Sequence, residues 1–157
     1  MRILLILFVM LLANGSQAAE NSILNFDQLG FKIQALEGIS DSNTSQPLTL
    51  MLPPSNGFSP NVTVIMQPYR GTMEEYKAVT DRQLNQAKLN IIQSEIKDDI
   101  YIFEYSGSLT GQNLHVYSKA IMKGNHIYLI SATDLMIQWD LNKHKLLGTV
   151  NSFKLNE

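Results

Sequence analysis

The chain has 157 residues, of which 14 are acidic and 12 are basic, and it contains no cysteine. Hydrophobic residues make up 45% of it and the net charge is only -2, a combination that excludes a disordered chain. Without cysteine there can be no disulfide-stapled fold, no thiol nucleophile and no thiolate zinc site. The length suits one domain with a core large enough to fold unaided.

The N-terminal segment has the pattern of a secretory signal peptide. Arg2 precedes an unbroken apolar run, Ile3 to Leu12, and a small and polar segment follows it. Small residues at Ser16 and Ala18 favour cleavage after Ala18, with cleavage after Ala19 as the alternative. A membrane anchor would need about 20 apolar residues, and this run has ten.

We therefore expect residues 1–19 to be removed during export, which would make the protein periplasmic or secreted. Residues 20–157 would form a single domain without a membrane span. Arg2 is the only charge lost, so the net charge of the mature chain would be -3. That overall charge gives no electrostatic reason to expect nucleic acid or anionic lipid as a partner.

The early part of the mature chain predicts short strands. Phe31 and Ile33 alternate with polar neighbours, residues 47–52 form an apolar run stopped by two prolines, and residues 61–67 are rich in β-branched side chains. Residues 38–46 are small and polar, which predicts a loop.

A first helix follows. Thr72 stands three residues before Glu75, the spacing of a capping box. Apolar and small residues then recur at helical spacing and predict one buried face, formed by Met73, Tyr76, Thr80, Leu84, Ala87 and Ile91.

Strands return after this helix. Residues 91–96, 100–105, 113–122 and 127–133 have strand patterns, and Gly124-Asn125 predicts a two-residue hairpin turn. In that hairpin Met122 would lie opposite Ile127, Ala120 opposite Leu129 and Val116 opposite Thr133.

A second helix is predicted over about Leu135 to Val150. Asp134 is a suitable N-cap residue, and Leu135, Trp139, Leu146 and Val150 share one apolar face that Phe153 continues. The element order predicts an α+β fold, an α/β/α sandwich with a central, mainly antiparallel sheet of about six strands and two principal helices.

This organisation resembles the superfamily of PsbP, an extrinsic photosystem protein, and of the periplasmic DcrB-like proteins. The residues that carry the resemblance are the strand-to-helix unit from Val62 to Tyr76, the strand from Tyr101 to Tyr105 before a glycine turn and two long strands, and the terminal stretch from Val150 to Lys154. The match covers most of the chain after about Phe31. It implies this fold, an exported setting and a role in binding or assembly, and it transfers no functional residue.

Catalytic and metal-binding motifs have little support. His115 and Asp134 would lie opposite each other in the hairpin, and a carboxylate can orient an imidazole, but no nucleophile elbow accompanies them. The three histidines, His115, His126 and His144, have no metal-ligand spacing. No glycine-rich phosphate loop occurs, so the sequence predicts no cofactor, no metal and no catalytic residue.

Tyr69 and Arg70 are the predicted partner contact. They lie where a strand leads into the first helix, near a helix N-terminus that favours anions, and both residue types are enriched at binding hot spots. We therefore expect a non-enzymatic binding or assembly protein of the cell envelope with an unspecified protein partner. The alternatives are a carrier of a small apolar ligand and, less favoured, a small secreted hydrolase that uses His115 and Asp134.

Overall fold

The computed structural model describes residues 23–27, 30–34, 36 and 48–156. The elements in chain order are β1 (Ile23–Phe26), β2 (Phe31–Gln34), β3 (Leu48–Met51), β4 (Asn61–Pro68), α1 (Met73–Gln86), β5 (Asn90–Lys97), β6 (Ile100–Leu109), β7 (Gln112–Lys123), β8 (His126–Leu135), α2 (Trp139–Ser152) and β9 (Lys154–Leu155). The predicted signal peptide and the predicted loop at 38–46 lie outside these residues.

Six strands form the central sheet, in the order β3-β4-β8-β7-β6-β5. Every neighbouring pair is antiparallel. The predicted α+β fold, with about six antiparallel strands and two principal helices, is confirmed. Within the described residues, no helix is long and apolar enough to cross a membrane.

The central hairpin has the predicted register. Met122 lies opposite Ile127, Ala120 opposite Leu129 and Val116 opposite Thr133. The turn holds Gly124 at a φ of 58°, a left-handed conformation that glycine adopts without strain. Both strands are longer than predicted, and β6 extends through the glycine at position 107 that was expected to end it.

A second, three-stranded sheet was not predicted. It has the order β1-β2-β9, and its last strand contains only two residues. Strands this short carry too little alternation to be found by pattern. The sheet packs through Phe31 and Ile33 against the same core as α2.

Helix α1 begins as predicted and ends earlier. Thr72 and Glu75 form both hydrogen bonds of the capping box. The predicted apolar face ran on to Ile91, but the helix ends at Gln86 because Lys88 adopts a φ of 56° and turns the chain into β5.

Helix α2 begins four residues later than predicted. Asp134 and Leu135 belong to β8, and the N-cap residue is Gln138, which makes no side-chain capping bond. The inward face was correct from Trp139 onward, since Trp139, Leu146 and Val150 are buried. The reason for the difference is that Asp134 and Leu135 pair with His115 and Leu114 of β7 and so remain in the strand.

The helices cover opposite faces of the central sheet. Helix α2 packs with Val62, Val64 and Ile130 in one cluster. Helix α1 packs with Tyr101, Phe103 and Ile127 in the other. Side chains alternate between the two faces of a strand, so Ile127 and Ile130 of β8 point to opposite faces of the sheet and belong to different clusters.

Candidate functional site

The junction between β4 and α1 is held by contacts on two sides. The Tyr69 backbone N–H donates to the Asn125 carbonyl oxygen at 2.8 Å, which ties the junction to the turn between β7 and β8. The Tyr69 ring meets the Tyr76 ring edge to face, with 5.2 Å between centroids. The Tyr76 hydroxyl in turn accepts a hydrogen bond from Gln67 Nε2 at 2.7 Å. The junction is therefore fixed in place by the hairpin and by α1.

Gly71 allows this close arrangement. A Cβ atom at this position would lie 2.5 Å from Glu75 Oε2 and 2.6 Å from Tyr69 Oη. Both side chains therefore fold over the glycine, and a larger residue would displace one of them. The sequence analysis included Gly71 in the strand-to-helix unit from Val62 to Tyr76, but it did not predict that the Tyr69 side chain packs against this glycine.

The N-terminus of α1 is already occupied by a carboxylate of the helix itself. Glu75 Oε2 accepts a hydrogen bond from the Thr72 backbone N–H at 2.9 Å, and Thr72 Oγ1 accepts one from the Glu75 N–H at 3.2 Å. Removal from water and the nearby Glu75 carboxylate raise the pKa of Tyr69. This helix end therefore gives no support to the anion preference that the sequence suggested for it.

Arg70 differs from these neighbours. Its side chain is exposed, and in the described part of the chain it forms no ion pair. Among the described residues, the structure thus presents a guanidinium without an ion pair beside a half-buried tyrosine on a fixed backbone. The partner contact at Tyr69 and Arg70 stays a prediction.

The second site of interest lies at the other end of the central hairpin. His115 and Asp134 are directly opposite, as predicted. They do not pair, however. Asp134 is fully buried; one of its oxygens accepts a hydrogen bond from the Leu135 N–H at 2.7 Å and the other accepts one from Asn142 Nδ2 at 2.9 Å. Asp134 therefore joins β8 to α2 and is closed off from chemistry at the histidine.

His115 pairs with a different carboxylate. Its Nε2 atom lies 2.5 Å from Glu104 Oε1 on the adjacent strand β6. The imidazole also stacks on the Trp139 ring, with 4.1 Å between centroids and 13° between the planes. Because side chains alternate along a strand, Glu104 on β6 lies on the same face of the sheet as His115, and the sequence pattern could have identified it. The contact between Trp139 and His115 was not predicted, because Trp139 was expected only to pack in the core.

This arrangement orients an imidazole but does not complete a catalytic triad. Within the described residues, no serine or threonine hydroxyl is hydrogen-bonded to His115. Next to it on β7, burial and then the Glu104 and Glu95 charges raise the pKa of Tyr117, and burial lowers the pKa of Lys119. The hydrolase hypothesis therefore loses the His115–Asp134 pair on which it depended.

The histidines lie in three separate places. His115 and His126 are at opposite ends of the hairpin, and His144 is exposed on α2. In the ranges that the structure describes, no three histidine, aspartate or glutamate side chains are grouped so as to hold a metal ion.

Comparison with solved structures identifies the fold. Cyanobacterial PsbP (CyanoP) from Synechocystis sp. PCC 6803 matches with a TM-score of 0.55 and 14% sequence identity, over 91% of this chain and 96% of that one. PA94 from Pseudomonas aeruginosa, a protein of unknown function described as a putative regulator, matches with a TM-score of 0.53 and 10% identity, over 83% and 96%. LpqN of Mycobacterium tuberculosis, involved in cell envelope biogenesis, matches less well, with a TM-score of 0.46, 11% identity and coverage of 91% and 87%.

The chain thus shares the fold of cyanobacterial PsbP and of PA94, and the fold expected from the sequence resemblance to PsbP is confirmed. At these identities the likeness concerns the fold alone. No protein-family model matches the sequence, and no curated protein matches it closely enough to count as a relative.

Proposed function

We propose that the chain is an exported, non-enzymatic binding or assembly protein of the cell envelope, and that it contacts a protein partner through Tyr69 and Arg70. The observation that carries the contact is the exposed Arg70, which has no ion pair among the described residues, on a backbone fixed by the Asn125 bond and by the Tyr69–Tyr76 ring contact. The Tyr69 ring, held by its contact with Tyr76, loses little conformational freedom when a partner binds, and the fixed backbone presents the Arg70 guanidinium at a defined place.

The test of the contact is an affinity capture from the host's envelope fraction with a C-terminally tagged chain. Arg70→Glu reverses the charge at the proposed contact. Arg82→Glu is the matched control, because Arg82 is another exposed arginine without an ion pair in the described residues, located on α1. We expect a partner that is retained by wild type and by Arg82→Glu and lost with Arg70→Glu. Equal retention by both variants would locate the contact elsewhere, and capture of nothing by wild type would contradict the binding role.

Export is supported by the N-terminal segment, in which an apolar run of ten residues precedes small residues at the expected cleavage positions. We expect the protein recovered from cells to begin at Ala19 or Glu20, as read by mass spectrometry of its N-terminal peptide. Leu7→Arg interrupts the apolar run and should leave the chain uncut inside the cell. An intact Met1 on exported wild-type protein would contradict the proposed cleavage.

A further inference from the structure

Three lysines form one exposed surface that we call the basic surface: Lys32 on β2, Lys123 at the end of β7 and Lys154 on β9. Lys32 and Lys154 are directly opposite in the antiparallel pair of β2 and β9. Lys123 reaches the same place, because its ammonium group donates to the Asn156 carbonyl oxygen, two residues beyond Lys154.

These charges are not neutralised within the described part of the protein. None of the three lysines forms an ion pair there. Among the described residues, Asp27 places a carboxylate at the border of the surface, with its Oδ1 3.5 Å from Asn156 Nδ2. Like charges directly opposite in a sheet repel each other. The C-terminal end of α2 is adjacent to Lys154 and offsets part of that repulsion.

The basic surface is bordered by an exposed apolar side chain. Ile23 is 59% exposed and, with Lys32, Lys154 and Ser152, lines a surface depression of about 380 Å³. The outward face of the small sheet thus combines ammonium groups with a large aliphatic group. Amphiphilic anionic surfaces are bound by this combination of groups.

The direction from which the chain enters the domain favours a membrane as the occupant. Ile23 is the first residue of β1 and stands eleven positions after Leu12, the end of the apolar run. Ten intervening residues can span at most about 35 Å when extended. Until the signal peptide is cleaved, an apolar run engaged with the membrane keeps the domain within that distance of the lipid headgroups, and the chain enters the domain at Ile23, beside the basic surface.

We infer that the basic surface docks on the headgroups of an anionic phospholipid membrane. The net charge of the chain is negative and does not predict binding to an anionic membrane, because it does not show that these three lysines lie together. The inference rests on the proposed export of the chain and is independent of the contact at Arg70.

The test is co-sedimentation of the mature chain, residues 20–157, with vesicles. One set is pure phosphatidylcholine and the other contains about one-third phosphatidylglycerol, which gives the vesicles a negative surface potential. The cleaved apolar run does not contribute to binding of this chain, and the informative quantity is the ratio of the two partition coefficients. We expect a ratio of about tenfold or more at low salt, falling toward one as salt is raised.

Charge variants locate the effect. Lys32→Glu with Lys154→Glu should remove the preference for phosphatidylglycerol, and Lys32→Gln with Lys154→Gln should reduce it by an intermediate factor. Arg82→Glu with Lys88→Glu is the matched control, since both residues are exposed on or just after α1, on the other side of the central sheet. This control should retain the ratio within about twofold. Far-UV circular dichroism checks that each variant is folded.

Equal partition of wild type into both vesicle sets would overturn the inference, as would an equal loss in the control pair. Either result leaves the partner capture with Arg70→Glu unaffected, so the two proposals can fail separately. A chain that captures an Arg70-dependent protein but shows no lipid preference has a protein partner and no membrane-docking surface.

Discussion

Asp81 accepts hydrogen bonds that connect α1 to two strands of the central sheet. Its Oδ1 atom accepts from Ser94 Oγ and from Tyr101 Oη, both at 2.7 Å. Its Oδ2 atom accepts from Lys77 Nζ at 2.5 Å. Burial alone would raise the pKa of Asp81, but the hydrogen bonds from Lys77, Ser94 and Tyr101 outweigh it and the pKa is lowered. A charged group therefore anchors the helix on the sheet.

Removing one donor from this carboxylate should destabilise the fold. Tyr101→Phe deletes the hydroxyl of a fully buried ring, and we expect a loss of about 1 to 2 kcal/mol in the free energy of unfolding, measured by urea denaturation. Tyr105→Phe is the control, because Tyr105 lies on the same face of β6 and its hydroxyl makes no hydrogen bond within the described residues. Equal losses in the two variants would show that the Asp81 bond contributes nothing.

The lowered pKa of Asp81 also gives a pH dependence. The unfolded chain, with an aspartate pKa of about 3.9, takes up the proton at a higher pH than the folded protein does. The stabilisation by Asp81 is therefore fully present above about pH 4 to 5 and is lost as the pH falls through the folded-state pKa. We expect Asp81→Asn to be less stable than wild type at neutral pH and to approach it in acid. A constant difference from pH 7 to pH 2 would contradict this assignment.

The orientation of α2 can be tested by two leucines on the same helix. Leu146 is fully buried, whereas Leu141 is 72% exposed. We expect Leu146→Ala to cost about 2 to 5 kcal/mol, because it leaves a cavity in the core shared with Val62 and Ile130. Leu141→Ala should change the free energy of unfolding by less than about 0.5 kcal/mol. Similar costs for the two variants in thermal or urea unfolding would mean that the inward face of α2 is wrongly placed.

The start of α2 shows which features of a helix can be predicted from the local sequence and which cannot. Trp139, Leu146 and Val150 were found by their spacing, since a buried helix face has a strong period. The first residue of the helix was not found, because Asp134 and Leu135 suit a helix start and a strand end equally well. Their strand conformation is decided by pairing with His115 and Leu114 on β7, a contact between residues distant in sequence. The hairpin register placed Asp134 opposite His115 correctly, but Glu104, the partner of His115, and Asn142, the partner of Asp134, lie on other elements and were missed.

At the scale of the whole molecule, the central sheet could be predicted and the small sheet could not. Long strands joined by short turns fix their own pairing, as Gly124-Asn125 does for β7 and β8. The small sheet instead joins β1 and β2 near the N-terminus to β9 at the C-terminus. Only the complete fold brings β2 to β9, so neither Lys154 opposite Lys32 nor the basic surface could be recognised in the sequence.

The two sheets are connected through a cluster of aromatic rings. Phe153 lies between the small sheet and the central sheet, with ring centroids 5.2 Å from Phe31 and 6.1 Å from Tyr128. Phe153→Ala removes this ring from a buried position, and we expect a loss of about 3 to 5 kcal/mol. Because both sheets share one core, the variant should still unfold in a single transition. Fluorescence of Trp139, the sole tryptophan, and far-UV circular dichroism should therefore give the same midpoint. A separate early transition would show that the small sheet, which carries Lys32 and Lys154, folds independently of the central sheet.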